Sequence, residues 1–309
     1  VVFGTGAIGS ATAAALLALG HRVRVVNRSG HADVPADVEV VAGDAADPDF
    51  AGRAAAGATT VYQCLNPPYH RWPDEFPTLQ DAVVGAAQSS DARLVSFENL
   101  YMYGDTGGTP MTESTATAPH TRKGRVRRTM AEQLRELSDT GRLEVATARA
   151  SDYFGPRSGI QSPLGDLVVG AALRGKPARV VGDPDQLHSY TYTVDAARTL
   201  AALGTRDGVA GEVYHVPNEP AQTTRRIIEL IADAIGSPIE VRSTPRWLLR
   251  TIGVFNPTVR ELDEMLYEFT QPFVVDSSKA ERELGIAPTP MTEAIAATVA
   301  WYRSAAAST

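Results

Sequence analysis

Three glycines near the start of the chain have the spacing of a phosphate-binding loop. Gly4, Gly6 and Gly9 form the pattern G-x-G-x-x-G between a short apolar run and an uninterrupted helical pattern. Glycine permits the tight turn, lets a ligand approach the backbone and allows the helix to pack close to the strand. The first amides of the helix, including those of Ala7 and Ile8, attract anionic oxygens. This context predicts a dinucleotide site; the alternative is a purely structural glycine turn.

The residues after the second predicted strand indicate which dinucleotide is bound. NAD sites usually place Asp or Glu here to accept a hydrogen bond from the ribose 2′-hydroxyl. This chain has Asn27, Arg28 and Ser29 instead. A guanidinium cannot accept a hydrogen bond, but its planar fork matches a 2′-phosphate, and the serine hydroxyl adds a donor. The sequence therefore predicts NADP(H); the alternative is that Arg28 stacks on the adenine or faces solvent.

Further cofactor contacts are expected at the carboxyl ends of the next strands, where an open α/β sheet forms its ligand crevice. Asp44 follows the third predicted strand and could accept from the adenine amino group or cap a helix. Asn66 follows the fourth strand, close to Cys64, which we interpret as an inert buried thiol rather than a nucleophile. Tyr153 and Phe154 follow the sixth strand and are expected beside the nicotinamide.

β-branched runs alternate with alanine-rich amphipathic segments in the first half of the chain. This alternation predicts an α/β fold with a doubly wound parallel sheet of Rossmann type. The predicted strands are 1–3, 22–26, 38–41, 59–63, 93–97 and 143–147, and the predicted helices are 8–19, 77–87, 122–138, 163–174, 194–203, 223–235, 246–252, 258–267 and 291–303. We predict an NADP-binding domain over residues 1–155, with parts of 180–215 added to its core. Residues 156–309 are expected to form a smaller C-terminal lobe that is mostly substrate-binding.

The composition excludes several classes of protein. The net charge is −7, which opposes a nucleic-acid-binding surface despite one basic run at 122–128. No apolar stretch reaches the roughly 18 to 20 residues that span a bilayer. The single cysteine excludes an intramolecular disulfide and a cysteine-built metal site, and it fits a reducing cytoplasm. We expect a cytoplasmic protein that binds a small molecule and no metal; because the chain opens inside a predicted strand, we also expect residues before Val1.

Several short motifs occur in the order found in the extended short-chain dehydrogenase/reductases. They are the glycine loop, Gly43-Asp44, Met102-Tyr103-Gly104, Phe154-Gly155-Pro156, residues 193–197 and the C-terminal run 276–285. The chain resembles that group, the NAD(P)-dependent epimerase/dehydratase family, over nearly its whole length. The resemblance implies a Rossmann domain of about seven strands and a small C-terminal substrate domain. It is also compatible with a homodimer that pairs the helices 77–87 and 122–138.

Two of the three side chains that catalyse proton transfer in this family are missing. Relatives use Ser or Thr together with Tyr-x-x-x-Lys, in which the lysine lowers the pKa of the tyrosine. Lys123 matches the lysine, but Pro119 stands at the tyrosine position and Asn99 at the Ser/Thr position. We expect Tyr101 to supply the proton, Asn99 to polarise a carbonyl and Lys123 to hold the ribose. His120 is a second candidate donor, and Tyr101 could instead be an aromatic of the pocket wall.

Three more side chains are predicted to line a substrate pocket. Tyr103 lies in the loop after the fifth predicted strand, and His188 and Tyr190 precede the helix predicted over 194–203. For Tyr103 the alternative is an aromatic of the core or of the pocket wall. Asp195, within that helix, is expected to be its cap rather than a catalytic group.

Three functions are open at this point. The leading expectation is an NADP(H)-dependent oxidoreductase that acts on a carbonyl or an alcohol of a small metabolite. The second is an epimerase, dehydratase or isomerase in which the nucleotide is retained. The third is a non-catalytic NADP(H) sensor, which the loss of the family's Ser and Tyr favours and the presence of Lys123 opposes.

Overall fold

The computed structural model describes residues 1–244, Thr251, Val254 and residues 263–307, and a seven-stranded parallel sheet forms the centre of this part of the molecule. The strands of the described residues are, in chain order, β1 (Val2–Phe3), β2 (Arg24–Asn27), β3 (Glu39–Ala42), β4 (Thr60–Gln63), β5 (Arg93–Glu98), β6 (Val145–Arg149), β7 (Tyr153–Phe154), β8 (Ala178–Val181), β9 (Leu187–His188), β10 (Thr191–Tyr192), β11 (Val213–His215), β12 (Gln222–Thr223) and β13 (Val241–Thr244). The central sheet has the order β11-β6-β5-β4-β1-β2-β3. The remaining strands form the pairs β7–β10, β9–β12 and β8–β13.

The strand order reverses at β1. Val2 pairs with Val25 of β2 on one side and with Tyr62 of β4 on the other. At such a switch point the connecting segments leave toward opposite faces, and a crevice opens beyond the carboxyl ends of the strands. This order is that of a doubly wound Rossmann sheet, so the predicted α/β fold class is confirmed.

Helices cover both faces of the sheet. The α-helices of the described residues are α1 (Ala7–Ala18), α2 (Pro48–Ala55), α3 (Trp72–Ser89), α4 (Arg122–Asp139), α5 (Gly170–Leu173), α6 (Thr193–Thr205), α7 (Thr224–Ile235), α8 (Ser278–Leu284) and α9 (Met291–Ala307). On one face α1 and α6 bury Leu16 and Leu200 in a shared apolar core, and on the other α3 and α4 bury Val83 and Leu134. Burial on both faces explains why the strands are rich in Val rather than alternating with polar residues.

The six predicted strands exist, with ends that differ from the predicted ends by no more than two residues. Strand β11 was not predicted because its three residues carry no periodic signal. Helix α3 begins at Trp72, so the predicted start at residue 77 was wrong. The Trp72 indole is buried and its Nε1 donates to the Pro67 carbonyl at 2.9 Å, which fixes the first turn ahead of Pro77. Of the helices predicted over 246–252 and 258–267, the first except Thr251 and the first half of the second lie outside the described residues.

A second apolar core lies in the later part of the chain. Helices α7 and α9 contribute Ile227, Ile231, Ile295 and Val299 to it, and strand β7 contributes Phe154. This is the region expected to form a smaller lobe; its division from the Rossmann domain at residue 155 stays a prediction. Within the described residues, no helix combines the length and the apolar character that a membrane span requires.

Asp195 joins the two regions and does not cap its helix. The N-cap of α6 is Tyr192, so the cap prediction was wrong. The buried Asp195 carboxylate instead accepts from the backbone N–H of Thr289 at 2.8 Å, from the Thr289 hydroxyl at 2.7 Å and from Arg198 at 2.9 Å. The Asp195 carboxylate therefore connects α6, which packs on the central sheet, to the segment that leads into α9.

Candidate active site

The glycine loop has the shape that a diphosphate needs. Gly4 has φ +99°, and a Cβ there would lie 2.6 Å from the Cys64 carbonyl oxygen. A Cβ on Gly9 would lie 2.0 Å from the Gly4 carbonyl oxygen. A Cβ on Gly6, in contrast, would meet nothing within 4 Å. Two glycines are therefore required by close packing, whereas the third faces open space beside the helix start.

The start of α1 is suited to bind an anion. Its N-cap is Gly6, so no side chain accepts hydrogen bonds from the first amides, which include those of Ala7 and Ile8. The first turn also lacks acidic residues, which would repel phosphate oxygens. Free amides and the positive end of the helix dipole then point toward the space left open at Gly6. The loop thus fits the pyrophosphate of a dinucleotide.

Three polar side chains lie at the end of β2 and directly after it, and they differ in whether they contact the protein or face the solvent. Asn27 Nδ2 donates to Thr5 Oγ1 and to the His31 carbonyl, each at 2.8 Å, so this amide shapes the loop around the glycines. The Ser29 hydroxyl donates to the His31 carbonyl at 3.2 Å and is exposed. Arg28 is exposed, and within the described residues it forms no ion pair. Arg28 and Ser29 are therefore accessible, whereas Asn27 is occupied by its neighbours.

The other predicted cofactor contacts differ in how accessible they are. Asp44 is exposed and accepts from the Ala46 amide at 3.0 Å, while the cap of α2 is Asp47. Asn66 is exposed at the end of the loop after β4. The Phe154 ring lies in the second apolar core, so only its backbone could reach a cofactor. Tyr153 is half-buried beside the core that covers α1 and α6.

Cys64 lies against the glycine loop as an inert group. Burial raises the pKa of its thiol to about 12. A thiol that stays protonated at neutral pH is neither a nucleophile nor a metal ligand. The arrangement agrees with the interpretation made from the sequence.

Tyr101 is a buried phenol in the loop that follows β5. Its hydroxyl lies 2.6 Å from the Tyr69 hydroxyl, and its ring stacks on Trp72 with centroids 5.8 Å apart. Burial raises the pKa of Tyr101 well above its usual value, and the carboxylates of Glu268 and Asp152 raise it further. Tyr101 is therefore a neutral phenol at physiological pH, which suits a proton donor and opposes a role as a base.

Lys123 lies in the same cluster, at the first turn of α4. Its side chain is buried, with Nζ 2.8 Å from Glu264 Oε1 and 5.3 Å from the centroid of the Tyr69 ring. Asn99, the third predicted catalytic residue, uses its Oδ1 to accept from the Tyr101 amide at 3.3 Å. The structure thus places both Tyr101 and Lys123 beside Tyr69, a residue that the sequence did not suggest. His120 is exposed and packs edge-on against Tyr267 at 4.7 Å.

This site contains three further ionisable side chains, those of Asp152, His188 and Glu268. His188 Nε2 lies 3.0 Å from Asp152 Oδ2, and its Nδ1 lies 3.2 Å from the Glu268 carbonyl oxygen. Glu268 is 1% exposed; burial raises the pKa of its carboxyl group, and the charge of Asp152 raises it further. The charges of Asp152 and Glu268 also raise the pKa of both Tyr69 and Tyr101. These groups therefore interact within one site beyond the carboxyl ends of β5 and β6.

The two tyrosines predicted to bind substrate lie in internal networks instead. The Tyr190 hydroxyl is 2.7 Å from Thr224 Oγ1 in the second core. Tyr103 accepts from Arg149 Nη1 at 2.9 Å, and its hydroxyl lies 2.9 Å from His215 Nε2. Each ring is almost completely buried, and each hydroxyl has a hydrogen-bond partner within the protein. A substrate contact through either hydroxyl would require one of these bonds to break.

Buried charges behind the site were not anticipated. Glu98, at the end of β5, accepts from Arg149 Nε at 2.9 Å and lies 3.7 Å from Arg127 Nη2. Glu98 and Arg127 are each 1% exposed. A charged residue directly after the apolar run of β5 was an available signal for Glu98. Glu264 and Glu268 had no such signal, because 141 residues separate Glu264 from Lys123 and 80 separate Glu268 from His188.

Comparison with known proteins gives one family. A model of the family described as NAD dependent epimerase/dehydratase matches residues 1–216. A dTDP-glucose 4,6-dehydratase from Neisseria gonorrhoeae is 28% identical over 65% of this chain and 56% of its own length, and one from Actinoplanes is 31% identical over 52% and 45%. The chain thus spans about half the length of these curated relatives. A dTDP-6-deoxy-L-talose 4-dehydrogenase (NAD(P)(+)) from Kitasatospora kifunensis is 30% identical over 79% of this chain and 81% of its length.

Solved structures share the fold over the whole chain. A dTDP-glucose 4,6-dehydratase from Streptomyces venezuelae, crystallised with NAD, has a TM-score of 0.78 at 20% identity and covers 98% of this chain and 96% of its own. An epimerase from Methanothermobacter thermautotrophicus has a TM-score of 0.82 at 18% identity, over 98% and 91%. At these identities the likeness concerns the fold alone.

Proposed function

The chain belongs to the NAD dependent epimerase/dehydratase family, and on that premise we propose that it is an NADP(H)-dependent oxidoreductase acting on a nucleotide-linked sugar. The glycine loop carries the proposal. Gly4 and Gly9 pack against backbone atoms while Gly6 faces open space at an uncapped helix start. The reacting group would be a carbonyl or an alcohol, as expected from the sequence. The small metabolite expected from the sequence would be a nucleotide-linked sugar.

The choice of substrate class and reaction rests on the relatives. The 4-dehydrogenase from Kitasatospora kifunensis matches 81% of its length, more than the dehydratases match of theirs. Its name specifies a dTDP-linked 6-deoxy sugar and NAD(P)(+). We infer the phosphorylated dinucleotide for this chain from Arg28, an exposed guanidinium after β2 at the position where an acidic residue would select NAD.

The site supplies the groups that such a reaction needs. The first amides of α1 would bind the pyrophosphate, and Arg28 with Ser29 would bind the 2′-phosphate. The dinucleotide, when bound, supplies or accepts the hydride. Tyr101, held neutral by burial, would donate a hydrogen bond to the substrate oxygen, and Lys123 would contribute positive charge beside Tyr69. The neighbouring aromatic rings, including Trp72, would exclude water from this part of the site.

A second function is supported by the dehydratase relatives. Dehydration or epimerisation also begins with hydride transfer, but it needs a further acid or base near the sugar, and the carboxyl groups of Asp152 and Glu268 could serve. A non-catalytic NADP(H) sensor is the third candidate. It would bind the dinucleotide and show no turnover.

Titration calorimetry with NADPH and NADH tests the cofactor assignment. We expect the wild-type protein to bind NADPH at least tenfold more tightly, a difference of about 1.4 kcal/mol. Arg28→Ala should remove this preference and leave NADH binding unchanged. Arg22→Ala is the matched control, because Arg22 is also exposed but precedes β2 and lies at its amino end. Equal affinity for both nucleotides in the wild type would overturn the NADP(H) assignment.

Turnover separates the three functions. With a dTDP-linked 4-keto-6-deoxy sugar as the probe, the oxidoreductase should consume NADPH in a one-to-one ratio with product. A dehydratase or epimerase would convert a dTDP-hexose without net change in the nucleotide. Tight NADPH binding without turnover of either probe would contradict the proposed activity and favour the sensor.

A further inference from the structure

The hydrogen bonds of His188 determine where its protons are. A carbonyl oxygen can only accept, so the 3.2 Å contact with the Glu268 carbonyl requires that Nδ1 carries a hydrogen. If the ring is neutral, Nε2 then has only a lone pair. Nε2 lies 3.0 Å from Asp152 Oδ2, and an ionised carboxylate also only accepts. Two acceptors do not stay at this distance without a proton between them.

His215 provides an internal comparison. Its Nδ1 also meets a backbone carbonyl, that of Asp276, at 2.9 Å. Its Nε2, however, faces the hydroxyl of Tyr103, which has a hydrogen to donate. A neutral imidazole satisfies His215 completely. His188 has the same tautomer but a carboxyl group opposite Nε2, so the His188 site needs one proton more than the His215 site.

From this geometry we propose that Asp152 and His188 form a proton-donating pair in the active site, with Asp152 as the catalytic residue and His188 as the residue that positions and recharges it. This inference rests on the proposed oxidoreductase function. The pair holds one proton shared between Nε2 and Oδ2. Nothing in the family's Ser–Tyr–Lys arrangement supplies such a pair, and the loss of that tyrosine leaves a need for it.

The surroundings fit a donor that faces a substrate. Asp152 comes three residues after β6, beyond the carboxyl end of the sheet, and its side chain is 18% exposed. The His188 side chain is only 2% exposed and its ring stacks between Phe269 and Phe273, each at 5.2 Å. Only the carboxyl group is thus open to the site. The ionisable groups that act electrostatically with Asp152 are Tyr69, Tyr101, Tyr153, Tyr190, Tyr267 and Glu268.

The chemistry of the pair balances. When a substrate carbonyl is reduced, its carbon gains the hydride from the reduced nicotinamide and its oxygen gains the shared proton. The C=O double bond becomes a C–O–H group, and the nicotinamide is oxidised. The pair is left as an aspartate beside a neutral imidazole, and a proton from solvent restores it. In alcohol oxidation the same steps run in reverse, and the pair begins as the base.

Nitrogen-15 NMR of the histidine rings in the full chain tests the shared proton without any substrate. His188→Gln assigns the His188 signals, and His215 serves as the internal reference for a neutral ring. In the wild type near neutral pH, we expect a proton bridging Nε2 and the carboxyl group. In Asp152→Asn, the amide donates to Nε2, so His188 should adopt the neutral pattern of His215. If His188 shows the His215 pattern already in the wild type, the shared proton does not exist.

Adding the cofactor tests whether the pair serves the reaction. NADP⁺ carries a positive nicotinamide and NADPH a neutral one, so the nitrogen-15 shifts of His188 at one fixed pH should differ between the two complexes. Identical His188 shifts in both complexes would show that the pair is remote from the reacting centre. Asp152→Asn should also lower kcat at least about 100-fold, the effect of removing a general acid, with little change in KM. If calorimetry shows that the wild type binds neither nucleotide, the proposed function fails, while the NMR of the free protein still decides whether the proton is shared.

Discussion

At the scale of single residues, two candidate acids of the site are buried. Tyr101 is 7% exposed and shares a 2.6 Å hydrogen bond with Tyr69, and Glu268 is 1% exposed. In each case burial raises the pKa and so favours the protonated form of the group. The family pattern instead uses a lysine to lower the pKa of a tyrosine. Groups whose protonated forms are favoured in this way are suited to donate hydrogen bonds or protons to a substrate oxygen.

Tyr101→Phe tests the phenol directly. If Tyr101 hydrogen-bonds the substrate oxygen as that oxygen gains a proton, this variant should lose at least about 100-fold in turnover while its NADPH affinity stays unchanged, because the ring and its stacking on Trp72 remain. Steady-state kinetics and calorimetry measure the two effects. Tyr214→Phe is the control, since it also removes a hydroxyl from a buried ring, but on β11 and beside Glu283. Unchanged turnover in Tyr101→Phe would remove this residue from the mechanism.

At the scale of elements, the strand–loop–helix unit β1–α1 has two kinds of glycine. Gly4 and Gly9 are needed for backbone packing, since a side chain at either would overlap a carbonyl oxygen. Gly6 has φ −71°, which any residue adopts, and no neighbouring atom within 4 Å of an added Cβ. Packing within the described residues therefore does not require glycine at this position, which agrees with the proposal that a ligand occupies this space.

Alanine at these two positions should therefore have opposite effects. Gly9→Ala should lower the stability of the fold by about 1–3 kcal/mol, because its Cβ overlaps the Gly4 carbonyl. Gly6→Ala should leave the thermal unfolding temperature unchanged and weaken NADPH binding at least tenfold. Thermal unfolding and calorimetry on both variants check this pair of outcomes. Full NADPH affinity in Gly6→Ala would mean that the dinucleotide does not approach this loop.

At the scale of the whole molecule, two apolar cores are joined by specific polar contacts. Asp195 binds the Thr289 amide and hydroxyl from within α6, and Glu264 and Glu268 reach the site from a 3₁₀ helix, Asp263–Phe269. The later part of the chain is thus required to complete the site. The residues that form the central sheet contain the glycine loop but lack both of these carboxyl groups.

Asp195→Ala should weaken this connection. Its loss leaves the partly buried Thr289 amide and hydroxyl without this partner, which costs about 1–3 kcal/mol. Denaturant unfolding should show lower stability than wild type. Asp207→Ala is the control, because Asp207 is exposed just after the same helix and should change stability little. Equal stability of the two variants would show that Asp195 does not hold the parts together.

The sequence alone determined the fold class and the dinucleotide loop, because both depend on local rules. Strand and helix periodicity is set by the covalent geometry of the chain, and the three glycines and Arg28 act within one β–α–β unit. The sequence could also identify Lys123 and Tyr101 as members of one loop cluster. It could not decide their partners.

Only the tertiary structure decided the chemistry of the site. Tyr69, Asp152, His188 and Glu268 come from four separate segments, and no spacing relates them. Burial also depends on the tertiary structure. It distinguishes the partly exposed carboxyl group of Asp152 from the enclosed one of Glu268. It also places the Tyr103 hydroxyl in an internal hydrogen-bond network. Protonation depends on neighbouring charges and on access to water, and both arise only when distant segments pack together.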